Sequence, residues 1–210
     1  MLFRSVDYEQ DFIGDIYIKN GLIKAVARNI NLGINSINGQ GKVVLPAFID
    51  MHSHFREPGF TYKEDILSGS KAAVRGGYTT VNLMANTKPV CSSMDTVNYV
   101  LNKGSEVGLI DIHQTVSITK DFNGYDISHL DLIDDRVKII SDDGYGVNNN
   151  NVMLKALKKA YEKGLIVMVH EEDSEIEDSR LSENLMTFRD LFLAEVIKTP
   201  LHFAHVSRSE

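Results

Sequence analysis

The residues best equipped for chemistry lie in the stretch Asp50-Met51-His52-Ser53-His54-Phe55-Arg56-Glu57-Pro58-Gly59. It follows an apolar run, Val43-Val44-Leu45-Pro46-Ala47-Phe48-Ile49, which reads as a buried strand. Side chains alternate faces along a strand, so His52 and His54 point the same way and can share one metal ion. Arg56 continues that parity and adds a fixed cation. A metal beside an arginine suits a substrate that carries a carboxylate next to a hydrolysable bond.

The elements that must position these groups follow from hydrophobic patterning. Candidate strands are Val43 to Asp50, Thr79 to Met84, Leu109 to Val116, Val137 to Ser141, Leu165 to Val169 and Leu201 to Ala204. Helical stretches lie between them, at Tyr62 to Arg75, Met94 to Lys103, Asn150 to Lys163 and Arg180 to Ile197. Met153, Leu154, Leu157 and Tyr161 read as the apolar stripe of the third helix, and the stripe around Leu191, Phe192 and Ala194 as ordinary packing of the fourth. Gly76-Gly77 and Gly164 are placed as helix C-caps. Before this, Lys19-Asn20-Gly21 splits two apolar runs and predicts a hairpin. The expected division is a small β-subdomain over 1–42 and a strand–helix domain over 43–210.

Alternating strands and helices predict an α/β fold with a parallel sheet. Polar residues follow the strands: His52 and His54 the first, Asn86 the second, Asp142-Asp143 the fourth, His170 the fifth and His205 the sixth. A barrel gathers the C-terminal ends of its strands, whereas an open sheet spreads them along a line, so a (β/α)8 TIM-barrel is the preferred architecture. Such a barrel needs about 250 residues. The chain therefore reads as an incomplete barrel of about six units, the front half to two-thirds of the whole.

Composition narrows the class. The chain is 43% hydrophobic and 24% charged, with a net charge of −7. That balance argues against nucleic acid or an anionic membrane as partner. A single cysteine, Cys91, excludes an internal disulfide framework and fits a reducing compartment. The N-terminal segment carries acids and no long apolar region, and no stretch approaches the ~20 apolar residues of a membrane span. A cytoplasmic location is expected.

Four motifs carry a resemblance: Asp50 to Gly59; Gly76-Gly77-Tyr78-Thr79-Thr80-Val81 leading into Met84-Ala85-Asn86-Thr87-Lys88-Pro89-Val90; Ser141-Asp142-Asp143-Gly144; and His205-Val206-Ser207. His170-Glu171-Glu172-Asp173 is a looser match. In this order they make the chain resemble the dihydroorotase family of the amidohydrolase superfamily, in its bacterial form without a carboxylated lysine. The resemblance implies a cyclic amidohydrolase that reversibly hydrolyses dihydroorotate to N-carbamoyl-aspartate in pyrimidine biosynthesis by a metal-bound hydroxide. It implies two Zn2+ ions per complete subunit, held by His52, His54, His170 and His205 with Asp143 as bridge. Arg56 and Asn86 would bind the substrate carboxylate. Family spacing favours Asp143 over Asp142, although strand parity alone leaves both open. The family's general acid/base aspartate lies beyond residue 210, so the isolated chain is expected to be inactive. A second copy or a barrel-completing chain is the expected macromolecular partner.

Two other readings compete. Hydantoinases and allantoinases bridge their metals with a carboxylated lysine, but Lys138 lies five residues before Asp143 with opposite parity and matches that motif poorly. A non-catalytic, dihydroorotase-like scaffold would be marked by lost ligands, and all five are present. His113 and His129 have no such partners in sequence and read as structural, while His202, of opposite parity to His205, is expected to face a helix.

Overall fold

A computed structural model of the chain describes residues 3–9 and 11–209. They fall into two units, Met1–Phe48 and Ile49–Glu210, a boundary later than the expected residue 42. The first unit holds strands β1 (Phe3–Val6), β2 (Asp11–Lys19), β3 (Leu22–Ala27) and β4 (Val43–Val44), in sheet order β3-β2-β1-β4. The parallel pairing of Val43–Val44 with β1 carries the boundary past residue 42. The Asn20-Gly21 hairpin forms as expected, with φ of 54° and 72° at the two turn residues.

The run from Val43 to Asp50 is not one buried strand. It breaks at Pro46, which has no N–H for a ladder, into β4 and β5 (Phe48–Ser53). Nor is it buried: Val43, Leu45, Phe48 and Ile49 are all exposed, Ile49 by 61%. β5 lies at the edge of its sheet, with β6 as its one neighbour there.

The second unit continues with α1 (Ile66–Gly76), β6 (Tyr78–Leu83), α2 (Met94–Val107), β7 (Asp111–Gln114), β8 (Ile139–Ile140), α3 (Asn150–Lys163), β9 (Ile166–Val169), α4 (Ser179–Ile197) and β10 (Leu201–Phe203). Local chemistry fixes the helix starts. α1 begins at Ile66 rather than Tyr62, because Asp65 caps it in a reciprocal box with Ser68. Ser93, Asn149 and Asp178 cap the other three. α2 runs on to Val107, past the expected Lys103, until Gly108 turns the chain at φ 62°.

The strands stand in the orders β5-β6-β7 and β8-β9-β10, and a parallel bridge between Val116 and Ile140 joins the two ribbons. β6 with β7, β8 with β9, and β9 with β10 run parallel. On β9, Val167 and Val169 pack in the cluster that holds Met153, Leu157 and Ala160 of α3. Met168 faces the other way, into a layer with Met84, Ile139 and Ala204. Both faces of β9 are covered, which is why it reads as a continuous apolar run.

Two helix phases differ from expectation. The buried face of α3 is Val152, Met153, Ala156, Leu157 and Ala160, while Tyr161 is exposed. On α4 only Ser182, Met186, Asp190 and Ala194 are buried, and Leu191 and Phe192 face outward. Six strands laid flat would hold the first and last about 24 Å apart, at ~4.8 Å per strand. Yet the rings of His52, on the first, and His205, after the last, have centroids 5.3 Å apart. The array is therefore strongly curved, and its C-terminal strand ends converge. Among the described residues, no helix is long and apolar enough to cross a membrane.

Candidate metal centre

The convergence is centred on Asp143. β5 delivers His52 and, just past its end, His54, whose Nε2 atoms lie 3.2 Å apart. The Asp143 carboxylate stands 3.3 Å from His52 Nε2 and 3.6 Å from His54 Nε2. From β9 and β10 come His170 and His205, with Nδ1 of the first 3.1 Å from Nε2 of the second. Asp143 Oδ1 lies 3.7 Å from His170 Nδ1 and 3.3 Å from His205 Nε2. Two atoms that share a tetrahedral zinc at ~2.0–2.2 Å should sit roughly 3.3–3.6 Å apart. Each histidine pair together with Asp143 is close to that spacing, and Asp143 belongs to both sets. His52, Asp143 and His205 also form a ligand-competent group of their own.

Proton positions strengthen the fit. Asn86 Nδ2 donates to Asp143 Oδ2 at 3.3 Å, which orients the amide so that its Oδ1 faces His54. His54 Nδ1–H must then be the donor to that oxygen, at 2.9 Å. In the neutral ring Nε2 is left as a bare lone pair aimed at a carboxylate. Burial favours that neutral ring by pushing the His54 pKa down, with Arg56 and His52 adding to it against Asn86 and Asp143. His170 repeats the arrangement. Its Nε2–H donates to Glu172 Oε2 at 3.0 Å, leaving the Nδ1 lone pair toward His205 and Asp143. Lone pairs converging on a carboxylate repel unless a cation lies among them, and the donors are those that zinc prefers.

Asp143 and Asp142 have separate environments. Burial pushes the Asp143 carboxyl up, but His52, His205 and His54 outweigh it and hold it below the usual carboxylate range. Asp142 turns away. It accepts the Ile118 and Thr119 N–H groups at 2.7 and 3.0 Å, and the Thr119 hydroxyl. Burial outweighs these bonds and pushes its pKa up to about 6. It anchors the chain that leaves β7 and does not face the histidines.

Arg56 reaches the site by another route than strand parity. β5 has ended at Ser53, Arg56 has a φ of 49°, and its Nη1 donates to the Asn86 carbonyl at 3.1 Å. Asn86 spends both ends of its amide on His54 and Asp143. Lys138 is exposed and immediately precedes β8. His129 is buried and donates from Nε2 to the Ser117 carbonyl at 2.8 Å. Sequence reading passed over Glu172, although its i+2 spacing from His170 placed it on the same side.

A family profile described as dihydro-orotase-like matches residues 41–192. The chain is 51% identical over 212 residues to a dihydroorotase of Clostridium botulinum, an alignment covering 99% of this chain and 53% of that protein. A dihydroorotase of a Sulfurihydrogenibium species is 37% identical over 214 residues, covering 92% of this chain and 51% of its own length. The chain thus spans about half the length of the curated relatives it matches. Among solved structures it resembles an L-hydantoinase of Arthrobacter aurescens, with a TM-score of 0.77 at 19% identity, over 97% of this chain and 51% of that one. At such identity the likeness concerns the fold alone.

Proposed function

The chain belongs to the dihydro-orotase-like family, and from that premise we propose that it carries the metal centre of a dihydroorotase. The activity proposed for the whole protein is reversible hydrolysis of dihydroorotate to N-carbamoyl-aspartate, a step of pyrimidine biosynthesis. The observation that carries this reading is the sharing of Asp143 between two histidine pairs at near-tetrahedral ligand spacing. His52 and His54 would hold one zinc, His170 and His205 the other, and Asp143 would bridge them. Zinc bound there would supply a water made nucleophilic at neutral pH and would polarise the ring carbonyl.

The remaining work falls to side chains of this chain. Asn86 and Glu172 hold the protons of His54 and His170 on the nitrogens that face outward. Arg56 offers a planar, permanently charged fork that pairs with a carboxylate through two hydrogen bonds, and Asn86 stands beside it. Opening the ring also needs a donor for its nitrogen. Asp142 cannot supply this proton while it is tied to Ile118 and Thr119. The family resemblance implies that this donor lies outside the 210 residues, which alone are expected to bind metal without turnover.

The test is turnover of dihydroorotate by the whole protein, with Arg56→Lys beside it. The expected result is activity in the parent and a KM raised about 10- to 100-fold in the variant, for the loss of a bidentate contact. Hydrolysis of an unsubstituted hydantoin in preference to dihydroorotate, indifferent to Arg56, would replace this reading with a hydantoinase-like one.

A further inference from the structure

Arg189 lies on α4, outside the cluster of metal-capable residues, yet its side chain is only 15% exposed. Its Nη1 donates to the carbonyls of Val147 and Asn148, at 2.7 and 3.2 Å. Its Nε donates to Asp190 Oδ1 at 2.7 Å, and Asp190 is itself buried. Both carbonyls belong to the segment that leaves Asp143. That segment contains Gly144 and Gly146 at φ of 89° and 66°, the residues with the most freedom to lose on ordering. It also lies hard against the end of β9. A Cβ on Gly146 would stand 2.5 Å from the Glu172 carbonyl oxygen and 3.2 Å from that of His170. Glu171, between those two residues, has both carboxyl oxygens buried without a hydrogen-bond partner among the described residues, and Arg189 is one of the charges that act on it.

We propose that Arg189 is a positioning residue for the metal centre. Its guanidinium ties the Val147 and Asn148 carbonyls to α4 and so fixes the 144–148 segment where Gly146 meets the end of β9, so that Asp143 and His170 face each other before an ion arrives. The proposal rests on the metal-centre reading above and extends it to a residue that touches neither metal nor substrate. Arginine suits the task because one rigid plane serves two carbonyls and a carboxylate at once, and a lysine ammonium cannot match that fan of donors.

Two variants test it in the whole protein. Arg189→Lys keeps the charge and loses the fork. Arg189→Met with Asp190→Asn removes the ion pair together, so that neither charge is left buried alone. Zinc affinity is read by competition with a chromophoric chelator, hydrogen exchange of amides 144–149 without metal, and folding by thermal melts. The expected result is a cooperative melt in both variants, zinc bound about 10- to 100-fold more weakly, and exchange over 144–149 at least about tenfold faster. The lysine variant should show the smaller loss. Folded variants with parental zinc affinity and parental exchange would overturn the proposal. If the double variant does not fold, the lysine variant decides. If the parent takes up no zinc, the metal reading fails by itself, and exchange over 144–149 judges the clamp: unchanged rates reject it.

Discussion

Two adjacent aspartates at the end of β8 do different work, because one carboxylate is consumed by backbone donors and the other faces four imidazoles. On the proposed two-zinc reading, Asp143→Asn removes the charge common to both histidine pairs and should lower zinc stoichiometry below two, measured by metal analysis after dialysis. Asp142→Ala should retain two zincs but strand the Ile118 and Thr119 N–H groups. Its cost should be at least about 1–3 kcal/mol in denaturant unfolding. The reverse pattern would transfer the bridging role to Asp142. At this scale residue type was legible and orientation was not. Alternation along a strand placed His52 and His54 together correctly, but Arg56 lies past the strand end at a positive φ, where parity carries no information.

Elements were legible where their punctuation is local. Asn20-Gly21, Gly77 and Gly164 each act within a few residues, and the turn and helix ends form at them. Helix phase was harder, because a helix buries only the side its neighbours reach. On α4 the inward row advances in steps of four, from Ser182 through Met186 and Asp190 to Ala194. Its apolar residues at Leu185, Phe188 and Phe192 stay exposed in this chain. Met186→Ala should therefore cost about 2–4 kcal/mol in unfolding free energy. Phe188→Ala, at a side chain 72% exposed, should stay within about 0.5 kcal/mol of the parent. Equal losses at the two positions would mean that α4 packs in another phase.

For the molecule as a whole, stability should depend on pH through groups held neutral inside it. His129, buried and bonded to the Ser117 carbonyl, is one. Burial lowers its pKa, against the Ser117 carbonyl and the nearby Asp126 and Asp121, while Lys120 lowers it further. With the folded pKa below the unfolded ~6.5, the unfolded state binds more protons, so stability holds above that pH and is lost as pH falls below it. His129→Gln keeps an N–H for the Ser117 carbonyl and cannot titrate. Urea unfolding at pH 7.5 and 5.5 should show a smaller acid loss in this variant than in the parent, and equal losses would remove His129 as a cause. Sequence by itself determined the family and the alternation of strands and helices, and it marked the polar residues that follow the strands. Periodicity, capping residues and motifs are written in neighbouring positions. Only the tertiary structure decided that residues as far apart as His52 and His205 meet around Asp143, that Asp142 is spent as an anchor, and that Arg189 grips the segment after Asp143. Those outcomes depend on sheet curvature and on which backbone carbonyls come within reach of a side chain, and no local pattern encodes either.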